Sequence, residues 1–238
     1  MTPVRARARI AGLLYLIIIA TALFSEMFVR SQLVVSDDAA ATAANILASE
    51  QLFRSAGVAG LVTLICDIAI AALFFEIFRP AGATLSLMAA SFRIAFSAIM
   101  GVIALFHFIP LVLLGDAPYL SDFSAKQLQE LAYLSLKLHS AGFNIALVFF
   151  GAHCLLIGVL IVKSGIAPRL IGILMAIAGA SYALNSFARF AAPEFADTLF
   201  PLILLPPLIG EASLTLWLII FGADDRRWLA MDSKAKSA

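Results

Sequence analysis

Six long apolar runs divide the chain, at approximately 9–30, 53–79, 84–114, 138–163, 167–190 and 199–222. Each meets the ~17–25 residues an α-helix needs to cross ~30 Å of hydrocarbon. Turn-forming residues separate them. Arg79-Pro80-Ala81-Gly82 parts the second run from the third, and Asp116-Ala117-Pro118 follows the third. Lys163-Ser164-Gly165 with Pro168 parts the fourth from the fifth, and Pro193 follows the fifth. The stretch Ser124–Lys137 is amphipathic and is expected either to lie on the surface or to extend the fourth span. The pattern predicts an all-α, polytopic transmembrane helix bundle of about six spans. Residues 1–223 make one transmembrane domain and 224–238 a polar, flexible cytoplasmic tail, with Trp228 as an interfacial anchor.

Composition agrees. Of 238 residues, 63% are hydrophobic and 13% charged, with mean hydropathy +1.02. A soluble domain is nearer 45–50% apolar and 25% charged. The net charge of +1 gives no electrostatic basis for binding nucleic acid. Cys66 and Cys154 fall inside predicted spans and read as packing residues, not as a disulfide framework. Arg5, Arg7 and Arg9 before the run Ile10–Phe24 resemble a secretory leader, but apolar character resumes at Met27-Phe28-Val29, so an uncleaved first helix is expected.

Orientation follows from the lysines and arginines. With the N-terminus inside, ten fall on the cytoplasmic side (Arg5, Arg7, Arg9, Arg79, Lys163, Arg169, Arg226, Arg227, Lys234, Lys236) against five outside (Arg30, Arg54, Lys126, Lys137, Arg189). Both termini are therefore expected in the cytoplasm, in a multi-pass protein of the bacterial inner (plasma) membrane.

Against this apolar background, four ionisable residues stand about halfway along their spans: Asp67, Arg93, His153 and Glu211. A central Asp or Arg costs roughly 2.5–3.5 kcal/mol on insertion scales, while each Leu, Ile, Phe or Val returns only about 0.3–0.6. Such residues must meet one another, or water, inside a bundle. Asp67 shares a stripe with Ala56, Gly60 and Ala71, and Arg93 with Ser86, Ala90 and Ser97, so both belong on faces fit for close helix approach. Asp67 lies 13 residues before Pro80 and Arg93 lies 11 after Gly82, which places them at one level and predicts an Asp67–Arg93 ion pair. Glu76 is expected at the interface near Arg79.

A second, outer polar layer is expected from Glu26, Arg30, His107, His139 and Asn185, with Arg54, Tyr182 and Arg189 at similar depth; the arginines have the alternative of snorkelling. Glu26 and Arg30 are spaced i, i+4 on the face of Tyr15. In the sixth run Pro201 and Pro206-Pro207 precede Gly210-Glu211, which reads as a kinked or broken helix. Broken helices near the midplane line binding sites in transporters.

The segments Ala8-Arg9-Ile10-Ala11-Gly12, Ser25–Val35, Asp38–Ile46, His139-Ser140-Ala141-Gly142, Phe150-Gly151-Ala152-His153, Pro168-Arg169 with Gly172, and Gly210-Glu211 with Trp217 follow one another along the chain. As an ordered set they resemble a bacterial membrane family known as domain of unknown function 4386. The resemblance implies a multi-helix bundle over nearly the whole chain and carries no settled activity, catalytic residue or cofactor.

The leading functional reading is a buried polar centre, Asp67, Arg93, His153 and Glu211, that binds or moves a small ligand or ion within the lipid bilayer. The alternatives are an intramembrane metal-dependent enzyme and a structural membrane protein whose polar residues only lock the bundle. Metal ligands would come from Glu26, His107 and His139 or from Asp67, His153 and Glu211; a b-type haem between His107 and His139 is a further option. No dense metal motif selects among them, and neither cofactor nor oligomeric state follows from the sequence.

Overall fold

A computed structural model describes residues 4–115 and 117–237. Asp116, part of the expected turn before Ala117-Pro118, and the last residue of the tail lie outside the described residues. The described residues are mostly helical, joined by short turns, and include no strand. In order, the helices are α1 (Val4–Leu33), α2 (Ala39–Ala48), α3 (Glu50–Phe78), α4 (Ala83–Leu113) and α5 (Ala125–Ser164). There follow α6 (Arg169–Ala191), α7 (Pro193–Leu199), α8 (Leu205–Ile220) and α9 (Asp225–Ser237). Six are long and apolar enough to cross a membrane: α1, α3, α4, α5, α6, and α8 with the 3-10 turn Leu202–Leu204 that leads into it. The chain is a multi-pass helical membrane protein.

Local sequence explains where the helices differ from expectation. Ser124–Lys137 extends the fourth span: α5 runs unbroken for 40 residues, about 60 Å, twice the hydrocarbon thickness. Its first turns carry Lys126 and Glu130 as an exposed i, i+4 pair 3.9 Å apart, suited to water. Helix α2 was not expected; Asp38 starts it, its carboxylate accepting from the Ala41 amide at 2.8 Å. In α1 the stretch Leu23–Arg30 is wound as a π-helix, with the Ser31 amide reaching back five residues to the Glu26 carbonyl. The sixth span is irregular at its start, where the 3-10 turn Leu202–Leu204 gives way to α-helix at Leu205. Pro206 and Pro207 fall in the first turn of α8, where a missing amide hydrogen leaves no intrahelical bond unmade.

The helices divide into two compact units. The first comprises residues 1–17, 66–97 and 144–238; the second, residues 18–65 and 98–143.

In the first unit, α5 and α6 cross closely because glycines meet at both ends of a seven-residue interval. A Cβ on Gly151 would lie 2.7 Å from the Gly179 carbonyl oxygen, and one on Gly158 only 2.5 Å from that of Gly172. Packing takes the place of the hydrophobic drive between helices in lipid, so small residues let the backbones approach. Ile70, Phe74, Ile157, Leu160 and Met175 fill the interior, while Leu170 and Leu202 turn outward. Helix α9 corrects the expectation of a flexible tail. Asp224 caps it, accepting from the Arg226 and Arg227 amides at 2.9 and 3.2 Å. Trp228 is buried, not an anchor in the lipid interface, and its indole N–H donates to the Ile77 carbonyl at 2.9 Å. Glu76, expected at the interface near Arg79, is partly exposed and pairs with Arg7 at 3.6 Å.

In the second unit, Val29, Leu33, Ile46, Phe53, Ala56 and Leu136 form one apolar cluster. Polar threads tie the helices beside it. The Thr21 and Thr63 hydroxyls lie 2.7 Å apart, and Ser25 donates to the Ala56 carbonyl at 3.1 Å.

Candidate functional site

Helix α4 carries Arg93 on a stripe of small residues, and that stripe lets α3 and α5 approach its guanidinium. Arg93 is fully buried. Its Nη2 donates to Asp67 Oδ1 on α3 at 2.5 Å, the pair expected from helix geometry. Its Nη1 donates to Nε2 of His153 on α5 at 3.0 Å. Arginine has no acceptor, so this His153 nitrogen must be bare; the other, Nδ1, then carries the hydrogen and donates to the Ala89 carbonyl at 2.8 Å. The bonds fix a neutral His153. Two aromatic faces complete the cage, with the Arg93 Cζ 4.9 Å from the Tyr15 ring centre and 5.2 Å from that of Phe150.

Glu211, in the second turn of α8, is held by two phenols. Tyr15 Oη donates to its Oε2 at 3.0 Å, and Tyr182 Oη to its Oε1 at 2.5 Å. Tyr15 therefore joins the two halves: its ring faces Arg93 and its hydroxyl binds Glu211. The four midspan residues expected to share an interior, Asp67, Arg93, His153 and Glu211, are all buried within the first unit and linked through one chain of contacts. Tyr182, expected at the depth of the outer layer, belongs instead to this centre, and so does Tyr15, which shares a helix face with Glu26 and Arg30.

Two features of the centre stand out chemically. It holds two carboxylates, Asp67 and Glu211, but one guanidinium and a neutral imidazole. And Asp67 Oδ2 and Arg93 Nε are buried without a hydrogen-bond partner among the described residues. A buried acceptor with no donor costs about 1–3 kcal/mol, more for a charged group.

The second unit gathers most of the expected outer layer. Arg30 does not snorkel. Its Nη2 donates to the Leu136 carbonyl and to Ser140 Oγ, both at 2.9 Å, and its Nη1 donates to His139 Nδ1 at 3.1 Å. Glu26 lies 3.9 Å from Arg30 Nε. The His107 ring lies 6.1 Å from that of His139, stacks on Phe53 at 4.2 Å, and donates from Nε2 to the Phe53 carbonyl at 3.1 Å. Asn185, grouped with these in the sequence, is a buried residue of α6 in the first unit, and its Oδ1 has no partner among the described residues. Arg54 and Arg189 take local partners, Glu50 at 2.6 Å and Asp197 at 2.5 Å.

The metal-binding sets do not assemble. Among the described residues no three His, Cys, Asp or Glu side chains are arranged to hold a metal ion. His153 spends both nitrogens on Arg93 and Ala89, and both Glu211 oxygens face tyrosine hydroxyls. His107 and His139 each have one nitrogen engaged, by Phe53 and by Arg30.

A family model described as "Domain of unknown function (DUF4386)" matches residues 10–222, and the chain belongs to that family. An uncharacterized protein from the archaeon Archaeoglobus fulgidus is 25% identical over 159 residues, which cover 67% of this chain and 78% of that protein. No solved structure matches the chain.

Proposed function

We propose that the buried centre is a site for a small monovalent cation or a proton, within a bundle seated in the plasma (inner) membrane with both termini in the cytoplasm. The orientation rests on the lysine and arginine bias of the short loops. The observation that carries the site is the charge count: two enclosed carboxylates face one guanidinium, and Asp67 Oδ2 lacks any donor among the described residues. Uncompensated charge in a membrane interior is among the costliest arrangements a bundle contains. One bound positive charge balances it. Glu211 already has a donor on each oxygen, so the open acceptor is Asp67 Oδ2. Ionisable side chains inside bundles commonly mark ion pathways and proton relays, which makes ion movement the activity to look for.

The test is infrared difference spectroscopy on the protein in nanodiscs during steps of pH and of sodium, lithium or potassium concentration. A carboxylate band that responds to one of these cations in the wild type and vanishes in Asp67→Asn supports the site. Carboxylate bands indifferent to every cation and to pH rule it out. Reconstitution in liposomes with an entrapped pH- or cation-sensitive dye then asks whether the bound charge crosses.

One observation favours a second reading. Arg93 is enclosed on every side by Asp67, His153, Tyr15 and Phe150, as in a bolt that only fixes helix register. On that reading, the same substitutions change stability and no spectrum responds to cations.

A further inference from the structure

A separate cavity lies in the first unit, where α5 ends, α6 begins and α8 gives way to α9. It is a cleft of about 690 Å³ lined by Arg5, Lys163, Arg169 and Arg227, with Asp224 as its one carboxylate and Trp217 on its wall. This volume is in the range of small-molecule sites. By the lysine and arginine bias it opens at the cytoplasmic end of the spans.

We infer that this cleft binds a phosphate-bearing anion, a phosphate ester of a lipid headgroup or a free phosphate compound. Two observations converge on that chemistry. First, the cations are not cancelled. Arg5 and Arg227 make partial pairs with Asp225 and Asp224 at 4.0 and 3.9 Å, whereas Lys163 and Arg169 are exposed and have no ion pair or hydrogen bond among the described residues. Second, α6 starts here. Pro168 precedes its first turn and supplies no side-chain cap; the Ile171 amide turns back to the Pro168 carbonyl at 3.0 Å, and the positive dipole end of a 23-residue helix lies at the cleft. Cations and a helix N-terminus both present donors, and an oxyanion is what uses them together. Gly165 holds the floor of the cleft. Its φ of +60° makes the turn, and its carbonyl accepts from Arg227 Nη1 at 2.9 Å, which fixes that guanidinium across the opening. This inference is independent of the central charge count.

The experiment has two arms on the full chain. In one, inorganic phosphate is titrated calorimetrically into protein in uncharged detergent. In the other, native mass spectrometry counts lipid retained from nanodiscs of phosphatidylcholine with and without a minor share of phosphatidylglycerol. Saturable binding at one site is expected in at least one arm. Response to lipid alone assigns a headgroup site, and response to phosphate assigns a soluble phosphate compound. The double substitution Lys163→Ala with Arg169→Ala removes two exposed, unpaired side chains, and is expected to weaken binding roughly 10–30-fold at low salt. Lys163→Arg with Arg169→Lys keeps the charge and retains binding. The inference is overturned if neither arm shows saturable binding or if the double alanine variant binds like the wild type. It is overturned equally if Arg226→Ala, a cation outside the cleft, loses as much.

Discussion

Replacing Arg93 with methionine should cost far more than neutralising either carboxylate near it. Methionine keeps most of the side-chain length but strips Asp67 Oδ1 and His153 Nε2 of their donor and removes the cation from the Tyr15 and Phe150 faces. Two buried carboxylates then remain with no positive partner. Breaking a buried ion pair by removing one member costs about 3–5 kcal/mol, since the other charge stays uncompensated. Asp67→Asn acts in the opposite sense. The amide oxygen still accepts from Arg93, and the centre becomes neutral, one guanidinium with Glu211; about 1 kcal/mol, the value of one hydrogen-bond adjustment, is the expected cost. Glu211→Gln leaves the Asp67–Arg93 pair balanced and should also fall near 1 kcal/mol. The asymmetry, about 2–4 kcal/mol, is about 1.5 to 3 powers of ten in the folding constant. It can be read from SDS-driven unfolding in mixed micelles, followed by tryptophan emission. Adding Asp67→Asn to Arg93→Met should recover part of the loss, because one stranded carboxylate disappears. Equal costs for Arg93→Met and Asp67→Asn would refute the charge count and leave an ordinary two-member pair.

Further perturbations probe the rest of the framework. Gly158→Ala sets a methyl 2.5 Å from the Gly172 carbonyl oxygen and 2.8 Å from the Ala176 amide, both backbone. It should destabilise by about 1–3 kcal/mol in the same unfolding assay, whereas Gly60→Ala meets nothing within 4 Å and should be neutral or slightly stabilising. Trp228→Ala empties a buried site and strands the Ile77 carbonyl. Hydrogen exchange of the α9 amides should accelerate by at least tenfold, while amides of α5 and α6 keep their protection. Asp224 has its pKa lowered, chiefly by the hydrogen bond from the Arg227 amide. A depressed carboxylate contributes stability that is present above its unfolded-state pKa and lost as pH falls through the lower folded-state value. Protection of the first turn of α9 should therefore fall on acidification below the ordinary aspartate range, and Asp224→Ala should make it low and independent of pH.

The spans and the Asp67–Arg93 pair were legible in the sequence because lipid imposes simple rules. Twenty apolar residues must be helical, a charge among them must face inward, and a shared turn at Pro80–Gly82 sets two helices in register. The extension of α5 was half legible, since an amphipathic Ser124–Lys137 is compatible with either a surface helix or a longer span. Helix α9 was hidden by composition. Its sequence is polar, and its order comes from the Asp224 cap and from Trp228 finding the Ile77 carbonyl, 151 residues away in the chain. Pro206-Pro207 reads in the sequence as a kink or break inside an apolar run, and the fold puts there the junction between a 3-10 turn and α8. Only the fold shows that the helix starts there.

Tyr15 and Tyr182 show where periodicity runs out. Helical angles report which residues share a face on one helix, but not which other helix that face meets. On α1, Tyr15 lies on the face of Glu26 and Arg30, so sequence logic groups the three. In the fold, Tyr15 belongs to the first unit, while Glu26 and Arg30 belong to the second. The available signal was energetic rather than geometric. A tyrosine in a span carries a hydroxyl that must find an acceptor, and Glu211, buried on a helix with no basic residue, needs donors. Matching spare donors to spare acceptors across spans would have joined Tyr15, Tyr182 and Glu211. The same matching leaves Asp67 Oδ2 unanswered, so the place where the pairing fails is the place where a bound charge is proposed.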